Sequence, residues 1–301
     1  MVRPIRRSIA VLVAVGLALS GCGIIGKPSA GPGGSSSAAP SPSPSPPAPS
    51  LPVAGECHIN NSVEQIALSD DLADCDAVHM AETVHVGQFA GDAAAGGPPL
   101  LVEGATGAAA AVQSKVFLDC SAKADAYLGH SWIHPLLALR IVVPDDTSWQ
   151  AGQRWYRCDL VEKNWNSNTG ADAPRTGSLK TDWLGPACFN TNKDNAPQLS
   201  CSAKHPSEYV GGFMLPASLK KEPKTDKELQ PYYDKCWKLV GAYIGVSAAR
   251  AESLVGVYFW WQAEPSYWAS GRRQAWCFTW TGKSTATYVT GSAKGRKGKG
   301  L

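Results

Sequence analysis

Apolar runs and polar or glycine-rich breaks alternate along the chain, and their spacing predicts one set of short elements that comes twice. Residues 81–89 (AETVHVGQF) alternate as a strand with one buried face. Residues 108–128 have a helix-forming, alanine-rich composition. Residues 136–143 (LLALRIVV) form a largely apolar run stopped by Pro144, a buried strand, and residues 153–161 return beside it after a turn at Trp149 to Gly152. The series then recurs. Thr225-x-x-Glu228 has capping-box spacing and opens a helix that runs to Tyr243. Residues 254–263 (LVGVYFWWQA) make a second buried strand before Pro265, and residues 272–281 return along it. The predicted fold class is α+β, with two tandem copies of a small disulfide-bridged unit. Each copy has an antiparallel sheet and one main helix.

The cysteines sharpen this doubling. Of nine, one is Cys22 near the N-terminus; the others are Cys57, Cys75, Cys120, Cys158, Cys188, Cys201, Cys236 and Cys277. Cys75-x3-His79-x2-Glu82 matches Cys201-x3-His205-x2-Glu208, and Cys120-x6-Tyr127-x-Gly129 matches Cys236-x6-Tyr243-x-Gly245. Trp149-x2-Gly152-x-Arg154-x3-Cys158 matches Trp268-x2-Gly271-x-Arg273-x3-Cys277. Three spaced patterns in one order indicate a tandem duplication. The expected boundaries are residues 51–165 for the first copy, a polar linker at 166–180, residues 181–290 for the second copy and a basic flexible tail at 291–301. Four cysteines per copy allow three pairings. First with second and third with fourth is favoured: Cys57 with Cys75, Cys120 with Cys158, Cys188 with Cys201 and Cys236 with Cys277. The segments around the first two read as neighbouring strands, and the third sits on a helix that must pack on the strand carrying the fourth. There is no C-x2-C pair, so disulfides are expected and no metal or cofactor is.

The N-terminus reads as an address. Arg3, Arg6 and Arg7 precede an apolar run at residues 9–19, and Leu19-Ser20-Gly21 lead to Cys22. This is the layout of a signal peptide, residues 1–21, with an apolar run shorter than the roughly 20 residues a membrane span needs. The junction resembles a bacterial lipobox, which implies cleavage before Cys22 and acylation of that cysteine with palmitate-type chains, enough for stable membrane anchoring. The expected location is therefore the extracytoplasmic face of the plasma membrane. Residues 22–50, with Pro40-Ser41-Pro42-Ser43-Pro44-Ser45-Pro46-Pro47, read as a stalk.

Charge changes the picture less than its total suggests. The formal +3 belongs to the chain ends, because residues 51–293 hold 25 acidic and 20 basic side chains. No basic surface follows on the body, which argues against nucleic acid as a partner. Lys220, Lys221, Lys224 and Lys227 read as a solvated loop, with contact to anionic envelope polymer as the alternative.

Taken in order, Gly55-Glu56-Cys57, Cys75-x3-His79-x2-Glu82, Cys120-x6-Tyr127-x-Gly129 and the hairpin from Trp149 to Cys158 resemble the septum formation-related domain of bacterial envelope proteins. The resemblance covers the first copy and the second from Cys188 onward, where Gly185-Pro186-Ala187-Cys188 replaces Gly-Glu-Cys. It implies a part in cell division or envelope growth and brings no catalytic residues with it.

Three functional readings follow. The first is a non-catalytic, lipid-anchored protein that binds an envelope protein or cell-wall components. The second is an envelope hydrolase or metal-dependent enzyme using His79 and Glu82, or His205 and Glu208, since a carboxylate beside an imidazole does acid–base or metal chemistry. A strand would point residues three apart to opposite faces, which favours a structural role for the pair in the turn ahead of the strand. The third is a carbohydrate-binding module. Tyr258 and Trp260 lie two apart on one strand face and form an aromatic platform, unless the two copies bury that face against each other. Ser218-x-x-Lys221 lacks a Lys-Thr-Gly partner, and Gly282-Lys283-Ser284 lacks the first glycine of a phosphate loop. Arg154 and Arg273 are expected to stack on a tryptophan or pair with a carboxylate. The oligomeric state is left open.

Overall fold

The computed structural model describes residues 51–60, 65–66, 72–99, 106–167, 171–193, 195–219, 221–261, 265–281 and 288–301. The signal peptide, Cys22, the stalk, Lys220 and Gly282-Lys283-Ser284 lie outside them.

The first half contains β1 (Cys57–His58), β2 (Gln65–Ile66), β3 (Leu72–Ala73), β4 (Ala81–Gln88), α1 (Asp92–Ala95), α2 (Gly107–Leu128), β5 (Leu137–Pro144), α3 (Asp146–Gln150), β6 (Trp155–Lys163) and β7 (Asp172–Ala173). The second contains β8 (Cys188–Phe189), β9 (Gln198–Leu199), β10 (Lys204–His205), β11 (Ser207–Met214), α4 (Asp226–Ile244), α5 (Ala248–Leu254), β12 (Gly256–Trp261), α6 (Pro265–Ala269), β13 (Gln274–Trp280) and β14 (Val289–Thr290). The sheet orders are β2-β5-β6-β4-β1-β3, with β7 beside β6, and β12-β13-β11-β8-β9. Apart from β2 and β7 these two orders match strand for strand, and β10 pairs with β14 in a separate two-stranded sheet where the first half has a single bridge between His79 and Arg175. β2 pairs parallel with β5 and every other pairing is antiparallel. The same bulge also recurs, between Thr83 and His85 in β4 and between Tyr209 and Gly211 in β11. The fold is thus mixed α+β with two curled sheets, as the duplicated pattern predicts.

Each repeated residue has a local cause. Gly129 and Gly245 end α2 and α4 in the left-handed conformation, at φ 76° and 83°, where a side chain would be strained. Gly152 and Gly271 turn the hairpins at φ 91° and 80°. Thr225 and Glu228 form the reciprocal capping box that opens α4. Four disulfides join Cys57 to Cys75, Cys120 to Cys158, Cys188 to Cys201 and Cys236 to Cys277. In each half the second of them ties the main helix to the central strand beneath a buried tryptophan, Trp149 or Trp268. Arg154 lies 4.2 Å above the Trp149 ring and donates to its carbonyl at 2.6 Å; Arg273 does the same to Trp268 at 5.7 and 3.1 Å. These arginines brace a turn.

Two segments sit differently from their expected roles. Residues 166–180, expected as a linker, contribute β7 and a bridge between Arg175 and His79. Asn166 also exchanges two hydrogen bonds with Gln198 of the second half. Residues 291–301, expected as a flexible tail, fold back on α4. Gly295 N and Lys297 N donate to the carbonyls of Tyr243 and Ile244, Ala293 is buried, and Leu301 packs against Val240 and its neighbours. Basic composition suggested solvation there, but the tail's cations leave its backbone free to pair, and Arg296 spends its guanidinium on the carbonyls of Thr290, Ser292 and Gly300.

Candidate functional site

The repeated His and Glu meet at the start of each long strand. β1 pairs with β4 so that Cys57 stands opposite Glu82, and β8 with β11 so that Cys188 stands opposite Glu208. His79 and His205 precede their long strands, so the rule that separates strand residues three apart does not act on them. In each half the cysteine sulfur, a ring nitrogen of the histidine and a carboxylate oxygen lie within 4.8 Å of one another. All six residues are buried to 1% exposure or less.

This cluster is held from beyond the cysteine repeat. Glu82 accepts hydrogen bonds from the Tyr127 hydroxyl (2.8 Å), the Ser178 hydroxyl (2.7 Å) and Leu179 N (2.6 Å). Burial, and then the bond to Glu82, pushes the Tyr127 hydroxyl up to about 12. In the second half Glu208 accepts from Ala293 N at 2.6 Å, and the Tyr243 hydroxyl lies 3.2 Å from Ser292 Oγ. Gly177 N donates to Cys75 O, and Gly291 N to Cys201 O. The pieces reached in this way are Thr176-Gly177-Ser178-x-Lys180 and Thr290-Gly291-Ser292-x-Lys294. They form a fourth repeated motif, missed because one copy lies in a polar segment read as a linker and the other in a basic segment read as a tail. Removal of residues 289–301 is expected to cost the second half about 2–4 kcal/mol, since buried Glu208 loses its backbone donor and Ala293 its packing. Urea denaturation of the truncated chain checks this, and an unchanged midpoint would refute it.

His79 Nδ1 and His205 Nδ1 bond the carbonyls of Ala77 and Ala203, each at 2.9 Å. Both pairs thus fix the chain as it enters the long strand. With all six residues shut away from solvent, the oxidised cluster has no place for a substrate.

The halves diverge on the sheet face away from the main helix. In the first half His58, Thr83, Arg157 and Asp159 are all buried there. Thr83 donates to Asp159 at 2.8 Å and stands 2.9 Å from His58 Nε2; Arg157 reaches Asp159 at 2.8 Å and His58 Nδ1 at 3.2 Å. Burial, then the neighbouring Arg157 charge, lowers His58 to about 3. The register puts Phe189, Tyr209, Trp276 and Phe278 at the same four places in the second half. Phe189, Tyr209 and Phe278 pack among Leu136, Leu184 and Trp165 of the preceding chain, and the Tyr209 hydroxyl donates to Ile133 O. The two halves therefore bury part of this aromatic face against each other. Tyr258 and Trp260 remain outside, 39% and 38% exposed. Trp165 stands edge-on to Trp260 at 5.1 Å, and Trp276 lies 5.6 Å from it. Lys221, Lys224 and Lys227 are exposed.

A duplicated, disulfide-braced α+β protein with two buried His–Glu latches is the class this geometry defines. The septum formation family matches residues 54–277, well over half of the chain, and the chain belongs to that family. The match is one span from before Cys57 to Cys277, so it takes in all four bridges. No curated protein and no solved structure matches the chain. The family's description, septum formation, names a process in cell division and not a reaction. Among the described residues no helix is long and apolar enough to cross a membrane.

Proposed function

We propose that the chain is a non-catalytic envelope protein, held at the extracytoplasmic membrane face by acylated Cys22, whose second half binds cell-wall glycan during division or wall assembly. The observation that carries this reading is the aromatic strip. Tyr258 and Trp260 project from one face of β12, about 6.6 Å apart along the strand, and Trp165 forms a wall beside them. Rigid rings present large apolar faces at little entropic cost, which suits the C–H faces of sugar rings. β12 (GVYFWW) carries no charged side chain, so an amphipathic, uncharged surface fits it better than a charged peptide. The division role rests on family membership, and the anchor on the Leu19-Ser20-Gly21-Cys22 junction.

Cosedimentation of the full chain with insoluble peptidoglycan tests the reading. Trp260→Ala is expected to weaken retention about tenfold or more, a loss of ~1.4 kcal/mol, with near-ultraviolet circular dichroism and cooperative unfolding showing that the variant stays folded. Equal retention of the variant, or no retention of the wild type, would sink it; loss of a protein crosslink in place of glycan binding would assign the strip to a protein partner.

A further inference from the structure

Each buried latch holds a histidine nitrogen that the folded, oxidised chain does not use. Nδ1 of His79 and of His205 is committed to a backbone carbonyl, which leaves Nε2 with its lone pair. Both Nε2 atoms are buried without a hydrogen-bond partner. A buried imidazole acceptor without a donor is costly, and here it occurs twice, at equivalent places. Each histidine shares its pocket with a cysteine sulfur and a carboxylate oxygen, all within 4.8 Å. Thiolate, imidazole and carboxylate are the ligand types of zinc-class ions.

We propose that each latch is a redox-gated metal site: with its disulfide open, Cys57, His79 and Glu82 hold one zinc-class divalent ion, and Cys188, His205 and Glu208 hold another. The bridge partners are placed for gating. Cys57 and Cys188 are buried beside the histidine, whereas Cys75 and Cys201 are only half-buried. A dithiol reductant attacks the accessible Cys75 sulfur, forming a mixed disulfide and expelling the Cys57 thiolate into the latch. The second thiol of the reductant then displaces Cys75, so the reductant leaves as a disulfide and two electrons pass to the protein. The metal ion displaces the thiol protons to solvent and takes sulfur, Nε2 and a carboxylate lone pair, with Cys75 available as a fourth ligand. Zinc bonds of about 2.0–2.3 Å bring ligand atoms to roughly 3.5 Å from one another, a contraction of about 1 Å that the open bridge permits. The other bridges, Cys120 to Cys158 and Cys236 to Cys277, have both sulfurs buried and, among the described residues, belong to no such three-ligand cluster. They keep helix and sheet joined while the latches open.

The test uses the full chain, treated anaerobically with a dithiol, freed of reductant and titrated with Co(II). About two cobalt ions per chain with thiolate-to-metal charge-transfer absorption are expected, and none for the oxidised chain. His205→Gln is expected to halve the stoichiometry and His79→Gln with His205→Gln to abolish it, with near-ultraviolet circular dichroism showing retained packing. The proposal is overturned if the reduced chain binds no cobalt, if the double variant binds as much as the wild type, or if binding is equal in denaturing urea, where only loose thiolates remain.

Discussion

Arg157→Met is expected to lower stability by about 3–5 kcal/mol, the usual cost of leaving one member of a buried ion pair without the other. Arg157 and Asp159 are both 2% exposed at their side chains and 2.8 Å apart. Asp159 would keep the Thr83 hydroxyl but lose the charged guanidinium fork. The second half supplies the comparison, since the same backbone positions there carry Trp276 and Phe278 and fold around aromatic packing alone. A double variant, Arg157→Met with Asp159→Leu, is therefore expected to be less destabilised than Arg157→Met by itself. Urea denaturation followed by tryptophan fluorescence measures all three chains. A single-variant cost under ~1 kcal/mol, or strict additivity in the double variant, would show that the pair is not coupled in this way.

This exchange of a polar network for an aromatic cluster also shows where sequence reading stops. Cys120, Gly129, Trp149 and Gly152 repeat because each meets a backbone demand: a bridge, a left-handed cap, a packed turn. Such demands are local, so spacing along the chain reveals them and with them the duplicated α+β fold. His58, Thr83, Arg157 and Asp159 answer no local demand. They come together only through the register of β1, β4 and β6, which depends on the bulge between Thr83 and His85. The Thr-Gly-Ser-x-Lys motif was visible as spelling, yet its purpose lies in the Glu82 and Glu208 carboxylates far back along the chain. His79 and Glu82 are legible as a pair but not as neighbours, because strand alternation separates residues three apart whereas His79 precedes the strand. The aromatic strip was half legible. Alternation placed Tyr258 and Trp260 on one side, and only the packing of Leu136, Leu184 and Trp165 decides how much of that face stays open.

Acid is expected to unfold the chain well above the pH at which its carboxylates titrate. His58 is held down to about 3 by burial and by Arg157, and His134 to about 3 by burial. His134 accepts from Leu136 N at 3.1 Å and packs edge-on to Tyr209 at 4.6 Å, so it stands between the two halves. Both folded-state values lie below the ~6.5 of an exposed histidine, so the unfolded chain takes up these protons first as pH falls. The contribution is fully present above about pH 6.5 and is lost progressively down to about 3. With both groups titrating only in the unfolded state, the slope approaches ~2–3 kcal/mol per pH unit. Between pH 6.5 and 5 most carboxylates remain ionised, which isolates the histidines. Asp125 and Glu162, raised by burial, act in the opposite sense as they begin to protonate. Urea midpoints at pH 7.5, 6.5, 5.5 and 5 should therefore fall steadily below 6.5, and His134→Gln should remove about half of that slope. A flat profile across this range would mean that His58 and His134 take up protons as readily in the folded chain as in the unfolded one, and that neither polar site is sealed.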